Sequence, residues 1–153
     1  MIKIMFVCHG NICRSPMAEF VLKDMVKKLG AEDKFYIRSS ATSREEIGNP
    51  VHHGTRKILN EHGISADGKY AIQFTKQDYK EYDYILLMDS FNVRNLNRII
   101  GSDSLGKVKK LLDFAGGGDI ADPWYTGNFD DTYRDVVAGC KGLLKHLGIK
   151  KEA

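Results

Sequence analysis

The 153-residue sequence predicts a single α/β domain over residues 1–153: a doubly wound sheet of four parallel strands, with helices on both faces. Three observations predict it. Short, near-continuous apolar runs recur along the chain, as in parallel strands covered on both faces. Helical periodicity fills the stretches between them. A turn holding Gly10 and Asn11 joins the first apolar run to the first helix pattern, where open α/β sheets bind ligands.

The elements follow in order. Residues 2–7 read as the first strand. Ala18, Val21, Leu22, Met25, Val26 and Leu29 then share one helical face. Ser15 suits the N-cap, Pro16 the first turn and Gly30 the stop. Residues 35–40 form the second strand, and a helix over about 51–62 ends at Gly63. Thr75 with Asp78 opens a short helix as a capping box with a shortened acid. Residues 84–88 and 108–112 supply strands three and four, separated by a helix over 90–100 that stops at Gly101. Tyr133, Val136, Val137, Cys140, Leu143, Leu144 and Leu147 line the last helix, before Gly148.

Composition narrows the function classes. The chain is 42% hydrophobic and 28% charged, with a net charge of only +3. It has no Lys/Arg block beyond Lys150-Lys151, so neither nucleic acid nor a membrane surface is an expected partner. No apolar run is long enough to cross a bilayer. The Met1 end enters the first strand with no charged-then-apolar leader, and three Cys do not suit a disulfide scaffold. A reduced, cytoplasmic setting is expected, with Cys catalytic or buried.

The chemistry concentrates in residues 7–16, VCHGNICRSP. A phosphate monoester is a dianion, and backbone N–H groups at a helix N-terminus bind anions. A loop of His9, Gly10, Asn11, Ile12, Cys13, Arg14 and Ser15 curled around that anion aims several N–H groups at its oxygens. Gly10 allows close approach, and Asn11 tolerates a left-handed conformation while its amide pins the loop. Arg14 supplies two donors to two phosphate oxygens. The same field favours a Cys8 thiolate able to displace an alcohol and form a phosphocysteine. Ser15 is expected both to cap the helix and to donate to the Cys8 sulfur.

This run resembles the signature of the low-molecular-weight protein tyrosine phosphatases. MDSFN at 88–92 is similar to the family's M-D-x-x-N segment, and DPWYTG at 122–127 to its D-P-Y-Y-G type loop. The resemblance covers nearly the whole chain, and it implies a four-stranded parallel sheet in the order 2-1-3-4. It implies hydrolysis of aryl phosphates through phosphocysteine, with no metal and no cofactor. The implied partners are phosphotyrosine proteins, a bacterial tyrosine kinase among them, and inorganic phosphate or oxyanion inhibitors, with the chain a monomer or weak dimer.

Taken alone, Asp122 reads as an Asp-Pro turn. The resemblance makes it the general acid for the leaving group and the base for the water that cleaves phosphocysteine. Trp124 and Tyr125 are expected to shield its carboxyl and to form one wall of a cleft for a phenyl ring. Asp119 and Asp113 are nearby acids of lower rank. Cys13 is either packing beneath the loop or the partner of a reversible Cys8–Cys13 disulfide under peroxide, the role the resemblance implies. Cys140 reads as inert core.

Several positions depart from the family pattern. The cleft's second wall, residues 41–50, carries Glu45 and Glu46 where an aromatic is common; they form an acidic rim or a solvated loop. Lys69 and Ile72 stand where a supporting His and Arg occur in mammalian members, so the support of Asn11 must differ. His9 touches substrate or stays in solvent. An arsenate reductase would need further relay cysteines, and only Cys140 remains. Protein-arginine phosphatases carry Thr where Ile12 stands and lack the aromatic pair after D-P. A non-catalytic phosphoprotein-binding module would keep Arg14 and lose Cys8 or Asp122.

Overall fold

The computed structural model describes residues 1–150. Four parallel strands, β1 (Ile2–Cys8), β2 (Phe35–Ala41), β3 (Tyr84–Leu87) and β4 (Val108–Lys110), pair in the order β2-β1-β3-β4. The predicted order is therefore found. β1 is central, with Cys8 opposite Ala41 on β2 and Val7 opposite Leu87 on β3.

The two-residue period of a strand divides the apolar runs between two cores. Ile4, Phe6 and Cys8 face a core built with α1 (Arg14–Lys28), α2 (His53–Glu61) and α6 (Phe129–His146). Met5, Val7, Ile85 and Leu87 face a smaller one beneath α3 (Lys76–Glu81) and α4 (Ser90–Ile100). Helices thus lie on both faces. The carboxyl ends of all four strands open on one edge, where the chain leaves β1 at Cys8.

Local signals set most helix ends. Thr75 and Asp78 form a complete capping box on α3, and Asp89 and Asn92 form a second on α4. α1 differs from expectation. It starts at Arg14 with Cys13 at the N-cap and no side-chain cap, so Ser15 lies inside the first turn. The Ser15 hydroxyl is engaged beneath the turn instead.

β4 ends at Lys110, short of the predicted 112, because the Asp113 carboxylate accepts the Lys110 N–H and turns residues Leu111–Ala115 into a 3-10 helix. That helix packs closely on α6. A Cβ on Gly142 would lie 2.0 Å from the Phe114 carbonyl oxygen, so the contact requires glycine. The segment after Asp122 is not an open loop but a single helical turn, α5 (Pro123–Thr126). Among the described residues, no helix is long and apolar enough to cross a membrane.

Candidate active site

The turn from β1 to α1 is built so that its carbonyls face outward. The Cys8 carbonyl accepts from Thr42 N, and the His9 carbonyl from Ser43 N and Oγ. The Ile12 carbonyl accepts from His52 N, and the Cys13 carbonyl from Met17 N and Thr55 Oγ1. With the acceptors taken from outside, the N–H groups of Gly10, Ile12 and Cys13 have no protein acceptor among the described residues. They are donors left for an anion, added to the unpaired N–H groups of the α1 N-terminus.

Asn11 makes the turn possible. Its φ of 59° is left-handed, alone among the non-glycine residues described. That conformation costs an L-residue roughly 1–2 kcal/mol. Its buried amide makes three hydrogen bonds: Nδ2 to Ser15 Oγ (2.8 Å), Nδ2 to Ser39 Oγ (2.9 Å), and Oδ1 from Ile72 N (3.2 Å). At about 0.5–1.5 kcal/mol each, these outweigh the strain. Ser15 Oγ accepts from Asn11, so its proton is free for the Cys8 Sγ at 3.0 Å rather than the Ser40 carbonyl at 3.4 Å. Asn11 N also points to Sγ, at 3.3 Å. Two donors therefore converge on the sulfur, the arrangement a thiolate requires.

Beneath this sits a buried charged network. Glu19 Oε1 accepts from Ser39 Oγ at 2.6 Å, which turns the Ser39 oxygen toward Asn11 as an acceptor. Glu19 Oε2 is held by Lys23 at 2.5 Å. Lys69 reaches in from the other side, donating to the Ser39 carbonyl at 2.7 Å and standing 3.7 Å from Glu19. Burial holds the Lys69 pKa below its usual value, with Glu19 opposing and Lys23 and Arg38 reinforcing. Ile72 contributes its backbone N–H rather than its exposed side chain.

Arg14 is buried and held from behind. Its Nη1 donates to Asp89 Oδ2 (2.6 Å) and to the Ile120 carbonyl (2.8 Å), while Nη2 lies 3.5 Å from Asp122 Oδ2. Burial opposes its charge, but Cys8, Asp89 and Asp122 outweigh that and raise its pKa. Asp89 divides its carboxylate: Oδ1 caps α4 through Asn92 N, and Oδ2 grips the guanidinium. The sequence gives the 88–92 segment a family likeness but gives Asp89 itself no role. The capping-box spacing was the available signal; the reach to Arg14 was not.

Cys8, His9, Gly10, Ile12, Cys13, Arg14, Glu45, Glu46, Asp122, Trp124 and Tyr125 line one cleft. Asn11 and Ser15 lie behind it. Glu45 and Glu46 form a wall, not a loose loop: Glu45 Oε2 pairs with His9 Nε2 at 2.9 Å, and Glu46 packs on Gly10 and accepts from Asn49. Asp122 caps α5 through Trp124 N with Oδ1, leaving Oδ2 toward the cleft side of Arg14. Trp124 is 58% and Tyr125 84% exposed, and both border the cleft beside Asp122, whose side chain is 24% exposed. Trp124 rests on the edge of His52, which stacks on Phe129. Asp119 is tied to Lys110 and Ser90, and Asp113 to Lys110 N.

Cys13 is buried, and burial together with Cys8 pushes its pKa up to about 12. Cys140 is fully buried, which pushes its thiol up as well. All three cysteines are free. Among the described residues, no cluster of three or more His, Cys, Asp or Glu is arranged to hold a metal ion.

The chain is similar to proteins of known fold and activity. The profile of the low molecular weight phosphotyrosine protein phosphatase family matches residues 3–153. The low molecular weight protein-tyrosine-phosphatase YfkJ of Bacillus subtilis is 42% identical over 155 residues, covering 99% of each chain. The YfkJ crystal structure superposes with a TM-score of 0.93, covering 97% of this chain and 95% of that one. A low molecular weight protein tyrosine phosphatase from Streptococcus pyogenes is 44% identical, with a TM-score of 0.86 and coverage of 96% and 93%. The drosophila arginine phosphatase is 29% identical, with a TM-score of 0.86 and coverage of 95% and 98%.

Two outcomes follow from the supporting contacts. Lys69→Met, which keeps the stem and loses the charge, is expected to lower stability in urea by about 1.5–3 kcal/mol, the range for a hydrogen bond to a charged group. Unchanged stability would mean that Ser39 and Glu19 do not depend on it. His52 Nδ1 accepts from Gly54 N as the α2 cap, which needs the neutral ring. Burial, then His53 and Arg56, lower its pKa. The unfolded chain therefore binds the proton more readily, so this stabilisation is present above about pH 6.5 and lost as pH falls through the lower folded value. Between about pH 7.5 and pH 5, the thermal midpoint of the native protein should fall further than that of His52→Asn, whose cap does not titrate.

Proposed function

The chain belongs to the low molecular weight phosphotyrosine protein phosphatase family, and on that premise we propose that it hydrolyses phosphotyrosine in proteins through a phosphocysteine on Cys8. The observation that carries the reading is that Cys8, Arg14 and Asp122 border one cleft, with free loop N–H groups at its floor.

The non-bridging oxygens of the phosphate sit on the N–H groups of Gly10, Ile12, Cys13 and the α1 terminus. Arg14 has Nη1 occupied by Asp89 and Ile120, which leaves its remaining donors for the phosphate. The Cys8 thiolate forms the S–P bond as the bond from phosphorus to the phenolic oxygen breaks, and Asp122 gives that oxygen its proton. Water then attacks phosphorus, Asp122 takes its proton, and the S–P electron pair returns to Cys8. Ser15 and Asn11 N stabilise the sulfur as nucleophile and as leaving group. Ile12, Trp124 and Tyr125 offer apolar contact to the aryl ring.

The likeness to the drosophila arginine phosphatase keeps phosphoarginine as a second reading. Ile12 in the cleft favours the aryl ester over a guanidinium. We read the substrates as cytoplasmic phosphotyrosine proteins, with a bacterial tyrosine kinase among them. Every residue of the site comes from one chain, so a monomer or weak dimer suffices. A Cys8–Cys13 disulfide protects the nucleophile: peroxide oxidises Cys8 to a sulfenic acid, and the Cys13 thiolate displaces hydroxide from that sulfur. Because the Cys13 thiol is pushed up to about 12, this step quickens as pH rises.

Cys8→Ser should abolish hydrolysis of phosphotyrosine peptides and of p-nitrophenyl phosphate; surviving activity would remove Cys8 as nucleophile. Asp122→Ala should slow substrates with poor leaving groups by about 10²–10⁴ and good ones less; an equal loss on both would remove Asp122 as acid. Faster turnover of phosphoarginine than of phosphotyrosine peptides would favour the second reading. Peptide mapping after mild peroxide should find the Cys8–Cys13 link, more quickly formed at alkaline pH, and its absence would end the redox assignment.

A further inference from the structure

A second groove opens from the same mouth as the catalytic cleft. His9, Arg14, Asp122 and Tyr125 line both, and the second runs on to Phe91 and Asn95 on the first turns of α4. Its volume of about 360 Å³ lies within the range of roughly 300–1,000 Å³ usual for ligand sites.

Phe91 has no task in the fold. It is 67% exposed, whereas α4 packs on the core through Leu96, with Val93, Ile99 and Ile100 beside it. Arg94 stands over its ring, 5.4 Å from the centroid. An exposed phenyl ring in a groove continuous with an active site is unused apolar surface.

We propose that this groove is a specificity subsite that holds a large apolar or aromatic side chain next to phosphotyrosine in the protein substrate, with Phe91 as its recognition residue. The proposal rests on the phosphotyrosine reading of the cleft. A polypeptide whose phosphorylated ring fills that cleft must leave through the shared mouth between His9 and Tyr125. The next residue's Cα lies one step of about 3.8 Å along the chain, so its side chain starts beside the shared mouth. A free aryl phosphate fills the cleft alone and does not reach Phe91.

The test compares four substrates in the native protein and in Phe91→Ala. They are p-nitrophenyl phosphate, a phosphotyrosine peptide flanked by alanine, and the same peptide with Phe before or after the phosphotyrosine. The native protein should favour a Phe-flanked peptide by about three- to tenfold in kcat/KM, the range for an aromatic pair. Phe91→Ala should remove that preference and leave p-nitrophenyl phosphate turnover unchanged; alanine at this exposed helical position keeps the fold. Equal kcat/KM for all peptides in the native protein, or a preference that survives Phe91→Ala, overturns the subsite and leaves the catalytic reading standing. A matching fall on p-nitrophenyl phosphate also overturns it, since Phe91 would then act on the cleft itself. Hydrolysis of p-nitrophenyl phosphate without hydrolysis of any phosphotyrosine peptide overturns the phosphotyrosine reading and the subsite with it.

Discussion

The structure depends on one constraint: a seven-residue turn must present its N–H groups inward while its carbonyls point away. Backbone in this state cannot satisfy itself. The carbonyls of Cys8, His9, Ile12 and Cys13 take donors from Thr42, Ser43, His52 and Thr55, with Met17 adding the first bond of α1. Three elements, the end of β2, α2 and α1, must therefore converge on one loop. The sheet order does this by setting β1 in the centre, with β2 directly beside it. The left-handed Asn11 is the point at which strain enters, and the Ser15, Ser39 and Ile72 contacts are where it is offset.

Charge is arranged in two layers around that turn. On the open side Arg14 is fixed by Asp89 and Ile120, so its planar, singly charged guanidinium is not left to solvent screening. On the closed side Glu19, Lys23 and Lys69 form a buried cluster that orients Ser39, and through it Asn11. Burying such a cluster is costly unless every partner is hydrogen-bonded, and here each is. What the cluster contributes is orientation: the Ser39 proton goes to Glu19, the Asn11 amide goes to Ser39 and Ser15, and the Ser15 proton goes to the Cys8 sulfur.

Much of this was legible in the sequence, for local reasons. The strand-turn-helix run is contiguous, so Cys8, Asn11 and Arg14 announce a phosphate loop once the strand before them and Ser15-Pro16 after them are read with the spacing. Apolar runs and helix-stop glycines located each strand and the four longer helices to within a few residues, and the capping box of Thr75 and Asp78 located α3. The misreadings share a cause, a side chain committed to a distant partner. Ser15 obeys the N-cap preference, yet its hydroxyl is drawn to Cys8 and Asn11. Leu111 and Leu112 look like strand, yet Asp113 ends β4 early. Residues 123–126 look like open loop, yet Asp122 caps them into a helical turn. Asp89 meets Arg14 across 75 residues, and Lys69 meets Ser39 across 30, distances no local pattern encodes.

A turn that serves phosphoryl transfer leaves the phosphoryl group on the Cys8 sulfur during catalysis. Acid quenching during steady turnover of an aryl phosphate, followed by peptide mass mapping, detects it. One phosphoryl group on Cys8, present during turnover and gone when substrate is exhausted, is the predicted result. Continued turnover with no phosphoenzyme, even in Asp122→Ala where its hydrolysis is slowed, or a phosphoryl group carried by His9 instead, would contradict it.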